Sequence, residues 1–280
     1  MLEKCLNSLK KQSCSCDVLV IDNHSTDDTP GFLEEYCSKN PNCSFYINEE
    51  NTGGSGGFNQ GLKRAYQSGY DYFWLMDDDC IVKEDALEKL LQAGRDLNGN
   101  YGFLSPLAKW KDGSLCKMNI QSVGLLKNYS NTNSDYVKII TATFVGFFIN
   151  RNIVQKVGLP IKDFFIWSDD VEYSRRITKS GFIGYVVPDS VVVHEMSDNK
   201  KVGIETESAE RIWRYRYLYR NEMYVYRREG IKGVLLYGAR VFLHIFRVIT
   251  SGSDCKILKV KTILRSVRSG LKFNPEIEHV

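Results

Sequence analysis

Short apolar runs that end in an acid or an amide, each followed by a stretch of helical spacing, predict an open α/β sheet with parallel strands. Three such units fill residues 17–97, with "DVLVID", "CSFYIN" and "YDYFWLMD" as the runs. Ligands of such sheets sit at the carboxyl ends of the strands. Asp22, Asn48 with the glycine-rich stretch after it, and Asp77 to Asp79 all fall at such ends.

Residues 1–12 read as an amphipathic helix, without the apolar core and cleavage site of a secretory signal. "DVLVID" (17–22) suits a buried strand, and "TPGFLEEYCSK" follows with Thr29 as N-cap and Pro30 at the first helical position. "CSFYIN" (43–48) is the next strand. Helical spacing resumes in "FNQGLKRAYQSG" and stops at Gly69; "YDYFWLMD" (70–77) is the third strand. "KEDALEKLLQAGRDL" is a helix with apolar residues at 87, 90, 91 and 97. Beyond residue 100, "YGFLSP", "SVGLL" and "VKIITATFVGFFIN" read as strands, the last long and apolar. "DDVEYSRRITKSG" (169–181) is a helix opened by acids, "IGYVVPDSVVVHE" is extended chain, and helical character takes over from about residue 205.

The 280 residues are 43% hydrophobic and 25% charged, a globular composition, and the net charge of +3 is too small to imply nucleic acid as a partner. From Arg211 to Lys272 basic residues outnumber acidic ones and are interleaved with Tyr, Trp and Phe. Eight cysteines are scattered with no CxxC pair and no zinc spacing, which reads as reduced thiols in a cytosolic protein.

"LMDDDC" sets three consecutive carboxylates after an apolar strand. Crowded carboxylates repel, so a cation or hydrogen-bond donors must offset them. An oxygen-rich cluster with room for water suits Mg²⁺ or Mn²⁺ bridging a diphosphate; the other reading is an acidic turn capping the next helix. Alternation points Asp77 and Asp79 the same way and makes them the better ligand pair. In "WSDDVEYSRRI", Asp169 and Asp170 are good first-turn residues for a helix. Beside a metal-bound leaving group they also supply a carboxylate to take an acceptor's proton. His194 ends "VVVHE", where imidazole can complete a Mn²⁺ site or simply be a structural residue.

"NEENTGGSGGFNQG" (48–61) holds five glycines but matches neither GxxxxGK[ST] nor GxGxxG, because residue 59 is Asn. Its glycine pairs permit positive φ and close approach of a ligand to the backbone, and a helix beginning near Gly57 adds a favourable dipole for an anion.

In order, "VLVIDNHSTDDT", "NEENTGGSGGFNQGLKRA", "YFWLMDDDC", "FVGFFINR", "FFIWSDDVEYSRRITKSGF" and "PDSVVVHE" resemble the family 2 inverting glycosyltransferases of the GT-A fold. The likeness runs from about residue 2 to 196 and more weakly through "YLYRN" (217–221); "NTGGSGGF" and "MDDDC" most resemble galactofuranosyltransferases and rhamnosyltransferases of bacterial polysaccharide assembly. The resemblance implies a mixed sheet flanked by helices in a catalytic domain (1–204), followed by a basic helical region (205–280), and a nucleotide-sugar donor, a UDP-sugar. It implies that Asp22 hydrogen-bonds uracil and that Asn51, Gly53 and Gly54 border the nucleotide and sugar. Asp77, Asp79 and His194 hold Mn²⁺ or Mg²⁺, with Asp78 close to the donor. Asp170 is the base, Asp169 contacts sugar hydroxyls, and Trp167 walls the acceptor pocket.

Members of that family normally begin with a strand ending in a motif such as "VVTYNR", whereas Met1 stands directly at the helix that follows it. The expectation is an incomplete uridine pocket and an exposed strand edge, and with it the alternative of a catalytically silent partner in glycan assembly. "IKGVLLYGARVFLHIFRVIT" is interrupted by Arg240, His244 and Arg247, which favours amphipathic helices on an anionic membrane, or packed on the catalytic domain, over a spanning helix. The resemblance favours the membrane. It implies a lipid-diphosphate-linked glycan acceptor at the cytoplasmic face of the plasma membrane, with the Arg220 region meeting the acceptor's diphosphate. Homo-oligomerisation stays open.

Overall fold

The computed structural model describes residues 1–124, 127–130, 135–200 and 203–280. Helix α1 (Leu2–Lys10) leads to strand β1 (Val18–Asp22), α2 (Thr29–Lys39) and β2 (Cys43–Ile47), then α3 (Gly53–Gln67) and β3 (Tyr72–Leu75). Next come β4 (Cys80–Val82), α4 (Ala86–Asp96), β5 (Phe103–Lys109), β6 (Ser122–Gly124), β7 (Lys127–Asn128), β8 (Val137–Ile139) and β9 (Phe147–Asn150). The chain continues through α5 (Arg151–Val157), α6 (Asp169–Lys179) and β10 (Gly184–His194), and then α7 (Tyr215–Arg227), α8 (Gly230–Thr250) and α9 (Lys256–Lys272).

The main sheet runs β3-β9-β5-β10-β4, with β8 also paired to β10. Only β10 and β5 are parallel there; β3–β9, β5–β9, β10–β4 and β10–β8 are antiparallel, so the sheet is mixed. The two central strands carry apolar side chains on both faces, as a covered sheet requires, and Phe103, Leu104, Val186 and Val192 are fully buried. The β10–β5 register shifts between Val187 and Val191, across Pro188, which has no N–H to give to a ladder. Phe103, Phe147, Ile149, Tyr173 and Ile177 form the core between the sheet and α6.

Parallel β1 and β2 form a separate two-stranded sheet. Among the described residues no ladder joins β1 to β3. Instead α3 packs on both, and the Tyr70 hydroxyl donates to Asp17 Oδ2 at 2.7 Å.

Several elements differ from the sequence expectation. Asp28, not Thr29, is the N-cap of α2. The apolar run 137–150 is not one strand: β8 stops at Ile139 and β9 starts at Phe147. The break ends at Gly146, whose φ of 81° is left-handed and where a Cβ would lie 2.6 Å from Pro106 Cγ. Leu125 and Leu126 of "SVGLL" lie outside the described residues. The largest difference is α3, which begins at Gly53 instead of near Gly57, so most of the glycine stretch is helix. Helical propensity alone argues against this; tertiary contact decides it. Gly53 has φ 71°, and a Cβ there would sit 2.0 Å from the Phe165 carbonyl oxygen.

The C-terminal helices pack on one another through Tyr215, Tyr219, Met223, Tyr237, Val248 and Ile263, with Trp167 against the cluster. Phe273 packs on Phe164 and Tyr224. One face of α8 is therefore covered, while Ile231, Leu235, Phe242, Phe246 and Ile249 stand exposed on the other.

Gly53→Ala should destabilise the protein by more than about 2 kcal/mol, since the backbone strain and the clash act together. Gly57→Ala, where a Cβ meets nothing within 4 Å, should stabilise it by about 0.5–1 kcal/mol through the helix. Denaturant unfolding of the two variants measures both, and equal shifts would contradict the close-approach account.

Candidate active site

The acidic run after β3 and the end of β10 are brought together by strand pairing. His194 stands opposite Cys80 in the antiparallel β10–β4 ladder, and the Glu195 N–H donates to the Asp79 carbonyl at 2.9 Å. His194 Nε2 thereby lies 2.9 Å from Asp79 Oδ1. On the other side of the ring Nδ1 is 2.8 Å from Asn119 Oδ1. That amide is oriented by its Nδ2 donating to Thr143 Oγ1 at 3.0 Å, and its oxygen also accepts from the Cys116 thiol at 2.8 Å. An amide oxygen only accepts, so Nδ1 carries the hydrogen and the Nε2 lone pair faces Asp79.

Two lone pairs 2.9 Å apart require a proton or a cation between them. Asp79 Oδ1 is buried and makes no aligned hydrogen bond. Without a metal the proton is held firmly: burial alone would lower the His194 pKa, but Asp79 and Cys116 beside the ring push it up to about 10. A divalent cation fits this donor pair. Among the described residues Asp79, Cys80 and His194 place one donor atom each within 4.8 Å of one another. Burial and the neighbouring acids raise the Cys80 thiol well above its ordinary range, which makes it a poor third ligand.

Asp77, expected beside Asp79 as a ligand, stands outside that set and opens onto the cleft. It nonetheless lies between the two acidic groups. The protein massed around it and the Asp79 charge push it up to about 7, with His194 opposing and Asp169 adding to the rise. Asp78 is exposed, and crowding by protein and by Asp79 raises it as well.

The second acidic pair opens α6. Asp169 is buried, and burial moves it up to about 6 while the nearby Ser55 hydroxyl of α3 acts to lower it. Burial and then the Asp169 charge push Asp170 up to about 8, and its Oδ1 accepts from the Val171 N–H at 2.6 Å. The loop that delivers these acids is strained, because Phe165, Trp167 and Ser168 all have positive φ, near 65–68°. It is pinned by Asn221, wholly buried, whose Nδ2 lies 3.0, 3.1 and 2.9 Å from the carbonyls of Phe164, Ile166 and Trp167. Arg220 joins the same support: Nη2 donates to the Asp163 carbonyl at 2.6 Å, and its guanidinium lies over the Phe273 ring. Arg220 is thus held by the protein's own backbone. Trp167 leans on Tyr215, and Arg214 covers its ring at 4.7 Å.

The glycine stretch closes the cleft opposite. Ser55 N–H donates to the Phe165 carbonyl at 3.2 Å, so what approaches the bare backbone of Gly53 is the loop before Asp169. Gly54, by contrast, has open space where a side chain would stand. Asn51 Oδ1 accepts from Gly53 N–H at 2.9 Å and from Asn23 Nδ2 at 3.1 Å. Asn23 Oδ1 accepts from Thr52 N–H and from Asn48 Nδ2, tying the end of β1 to the start of α3. Asp22 is buried, with Oδ1 accepting from the Ser25 hydroxyl at 2.5 Å. Asn23, Asn119 and Asn221 have no sequence signature beyond their place near a motif.

The raised acids make a pH prediction. Asp77, Asp169 and Asp170 hold protons when folded, up to about 7, 6 and 8, that they release near 3.8 when unfolded. Metal-free stability therefore falls as pH rises between those limits, and His194, raised to about 10, adds a fall of the same sign above its ordinary value of about 6.5. A metal-free melting temperature that declines from pH 5 to pH 8, with Mn²⁺ or Mg²⁺ raising it more at pH 8 than at pH 5, is expected in thermal unfolding. A pH-independent melting temperature would contradict the arrangement.

Residues 1–158 match the family described as "Glycosyl transferase family 2". The chain is 24% identical over 247 residues to galactofuranosyltransferase GlfT1 of Mycobacterium tuberculosis, covering 84% of this chain and 80% of that protein. It is 23% identical over 280 residues to dTDP-rhamnosyl transferase RfbF of Shigella flexneri, covering 97% and 90%. With glycosyltransferase AglE of Haloferax volcanii it shares 26% identity over 192 residues, 65% of this chain and 58% of that one. Among solved structures, GalNAc-T7 with UDP, GalNAc and Mn²⁺ superposes with a TM-score of 0.57 at 16% identity, over 87% of this chain and 52% of that one, which shows the fold to be GT-A. The acid-ended strands, the mixed sheet and the matched residues agree, and the chain belongs to glycosyl transferase family 2.

Proposed function

We propose that this glycosyltransferase transfers galactofuranose from UDP-galactofuranose, with inversion, to a growing lipid-linked bacterial glycan. The observation that carries the reading is one cleft holding two kinds of acid: Asp79, poised with His194 for a cation, and Asp170, which makes no ion pair among the described residues, with Asp77 between them. A bound Mn²⁺ or Mg²⁺ would supply charge to neutralise the departing diphosphate. Asp79 and His194 would hold it, and the neighbouring Asp77 and Asp78 add negative charge close to Asp79. Asp170 would remove the proton of the acceptor hydroxyl as that oxygen attacks the anomeric carbon from the face opposite the diphosphate. One displacement inverts the centre and needs no protein nucleophile. Asp169, beside Ser55, would accept hydrogen bonds from the donor sugar. The GlfT1 likeness supports galactofuranose; the longer RfbF likeness supports a second reading, rhamnosyl transfer from a dTDP donor.

The base must lose its proton to act, so transfer should rise with pH through the raised range of Asp170, about 8. Asp170→Asn should lower transfer at least about 10³-fold while metal-dependent UDP binding persists. The measurement is Mn²⁺-dependent release of the nucleotide from UDP-galactofuranose, UDP-hexoses and dTDP-rhamnose. An active Asp170→Asn variant would remove the base assignment.

The C-terminal helices support a place on the cytoplasmic face of a membrane. By length and composition α8 could cross a bilayer. Its Gly233, Tyr237, Val241 and Val248 are buried, however, and Arg240 Nη2 pairs with Glu222 at 3.1 Å. The opposite face exposes Ile231 at 81%, Leu235 at 69% and Phe242 at 68%, and α9 adds Ile257 at 73% among Lys256, Lys261, Arg265 and Arg268. An apolar stripe flanked by cations fits an interface lying on anionic lipid. Phe242→Glu with Phe246→Glu should abolish flotation with phosphatidylserine vesicles at low salt and leave UDP binding intact. Unchanged flotation would exclude this face.

A further inference from the structure

Two of the eight cysteines stand sulfur to sulfur. Cys37 lies in the last turn of α2 and Cys43 opens β2, with a short turn between them. The Asn40 N–H donates to the Cys37 carbonyl at 3.1 Å, and the Cys43 N–H donates to the Asn40 carbonyl at 2.9 Å. Pro41 stiffens the same turn. Asn40 is also held from α1, whose Lys10 Nζ donates to its Oδ1 at 2.8 Å. The chain is thereby folded back so that Cys37 Sγ lies 2.9 Å from Cys43 Sγ. Only a small closing movement separates the two thiols from the length of a sulfur–sulfur bond, about 2.05 Å.

Both thiols are partly exposed, whereas Cys5, Cys80 and Cys116 are buried. A dissolved oxidant therefore reaches this pair more readily than those three. The two sulfurs are also unequal. Burial, and then the contact with Cys37, raise the Cys43 thiol above its ordinary range. Cys43 thus keeps its proton, and attack on an oxidant begins at Cys37.

A bond here would brace a thin part of the fold. Strands β1 and β2 form a sheet of two strands only, and a pair of strands holds weakly by itself. Cys43 pairs with Val18 at the start of that ladder, and Ile47 pairs with Asp22 at its other end. A bridge from Cys37 to Cys43 would tie the sheet to α2 at the end away from Asp22.

We infer that Cys37 and Cys43 are a reversible dithiol, oxidised to a disulfide by a small-molecule disulfide such as that of glutathione, and that the bond braces the β1–β2 sheet. The Cys37 thiolate attacks one sulfur of glutathione disulfide, forms a mixed disulfide and releases one glutathione thiolate, which takes up a proton. Cys43 then gives up its proton and attacks the Cys37 sulfur, expelling the second glutathione as its thiol. The protein loses two hydrogens with two electrons, and one glutathione disulfide becomes two glutathione thiols.

The test incubates the reduced full chain with glutathione disulfide, blocks the remaining thiols and cleaves with trypsin without reduction. Cleavage after Lys11, Lys39 and Lys63 places Cys37 in peptide 12–39 and Cys43 in peptide 40–63. The two peptides should stay joined, and Cys37→Ser and Cys43→Ser should each part them, with Cys43→Ser leaving glutathione on Cys37. The oxidised native chain should melt several degrees above the reduced one, and dithiothreitol should reverse both changes. The inference is overturned if the folded native chain gives glutathione adducts without joined peptides, or if the oxidised chain melts no higher than the reduced one. Joined peptides that persist in Cys37→Ser would also overturn it, because they would move the bond to Cys14 or Cys16. The native chain alone decides the first two outcomes should a serine variant fail to fold.

Discussion

The hydrogen bonds from the Asn221 amide to the backbone before α6 are the constraint on which the rest of the site depends. Three of the four residues from Phe165 to Ser168 sit in left-handed backbone that side chains disfavour, at a cost of order 1 kcal/mol or more each. Such a loop relaxes unless its surroundings over-determine it. Asn221 from α7, Arg220 beside it and the Gly53–Ser55 backbone of α3 do so from two sides. The glycine at 53 is thus explained from the α6 side of the cleft: a side chain there would push away the loop that carries Asp169 and Asp170.

A second constraint holds the other acid group. The β10–β4 ladder fixes His194 against Asp79, and Asn119 fixes the imidazole tautomer. Neither arrangement is comfortable alone, since acids crowd on both sides of Asp77 and a polar oxygen of Asp79 is left without an aligned donor. Energy of this kind is released when a cation arrives. The site is thus least stable in the form that is ready to bind metal, as expected of a surface shaped for a ligand and not for its own folding.

The sequence disclosed those parts that repeat a local rule. An apolar run ending in acid marked Asp77 to Asp79, an acidic helix start marked Asp169 and Asp170, and a strand end marked His194. The GT-A architecture followed from the same order of motifs. The three structural amides, Asn23, Asn119 and Asn221, stayed hidden because an isolated asparagine carries no periodicity; its partners lie up to 75 residues away, as for Asn119 and His194. The onset of α3 was misplaced because propensity speaks against glycine in a helix, whereas a tertiary contact with Phe165 dictates it. The apolar run 137–150 looked continuous because the crowding at Gly146 comes from distant residues, Pro106 and Val192.

The matched family segment ends at residue 158, upstream of Asp169, His194 and Asn221. Modularity in this molecule therefore does not follow the boundary that sequence likeness draws. A graft of the matched segment alone would lack Asp169, Asp170 and His194, and a cut after residue 204 would keep them but remove the amide that holds the loop before α6. Swapping C-terminal helices between relatives would then change the posture of Asp169 and Asp170 as well as the helices themselves.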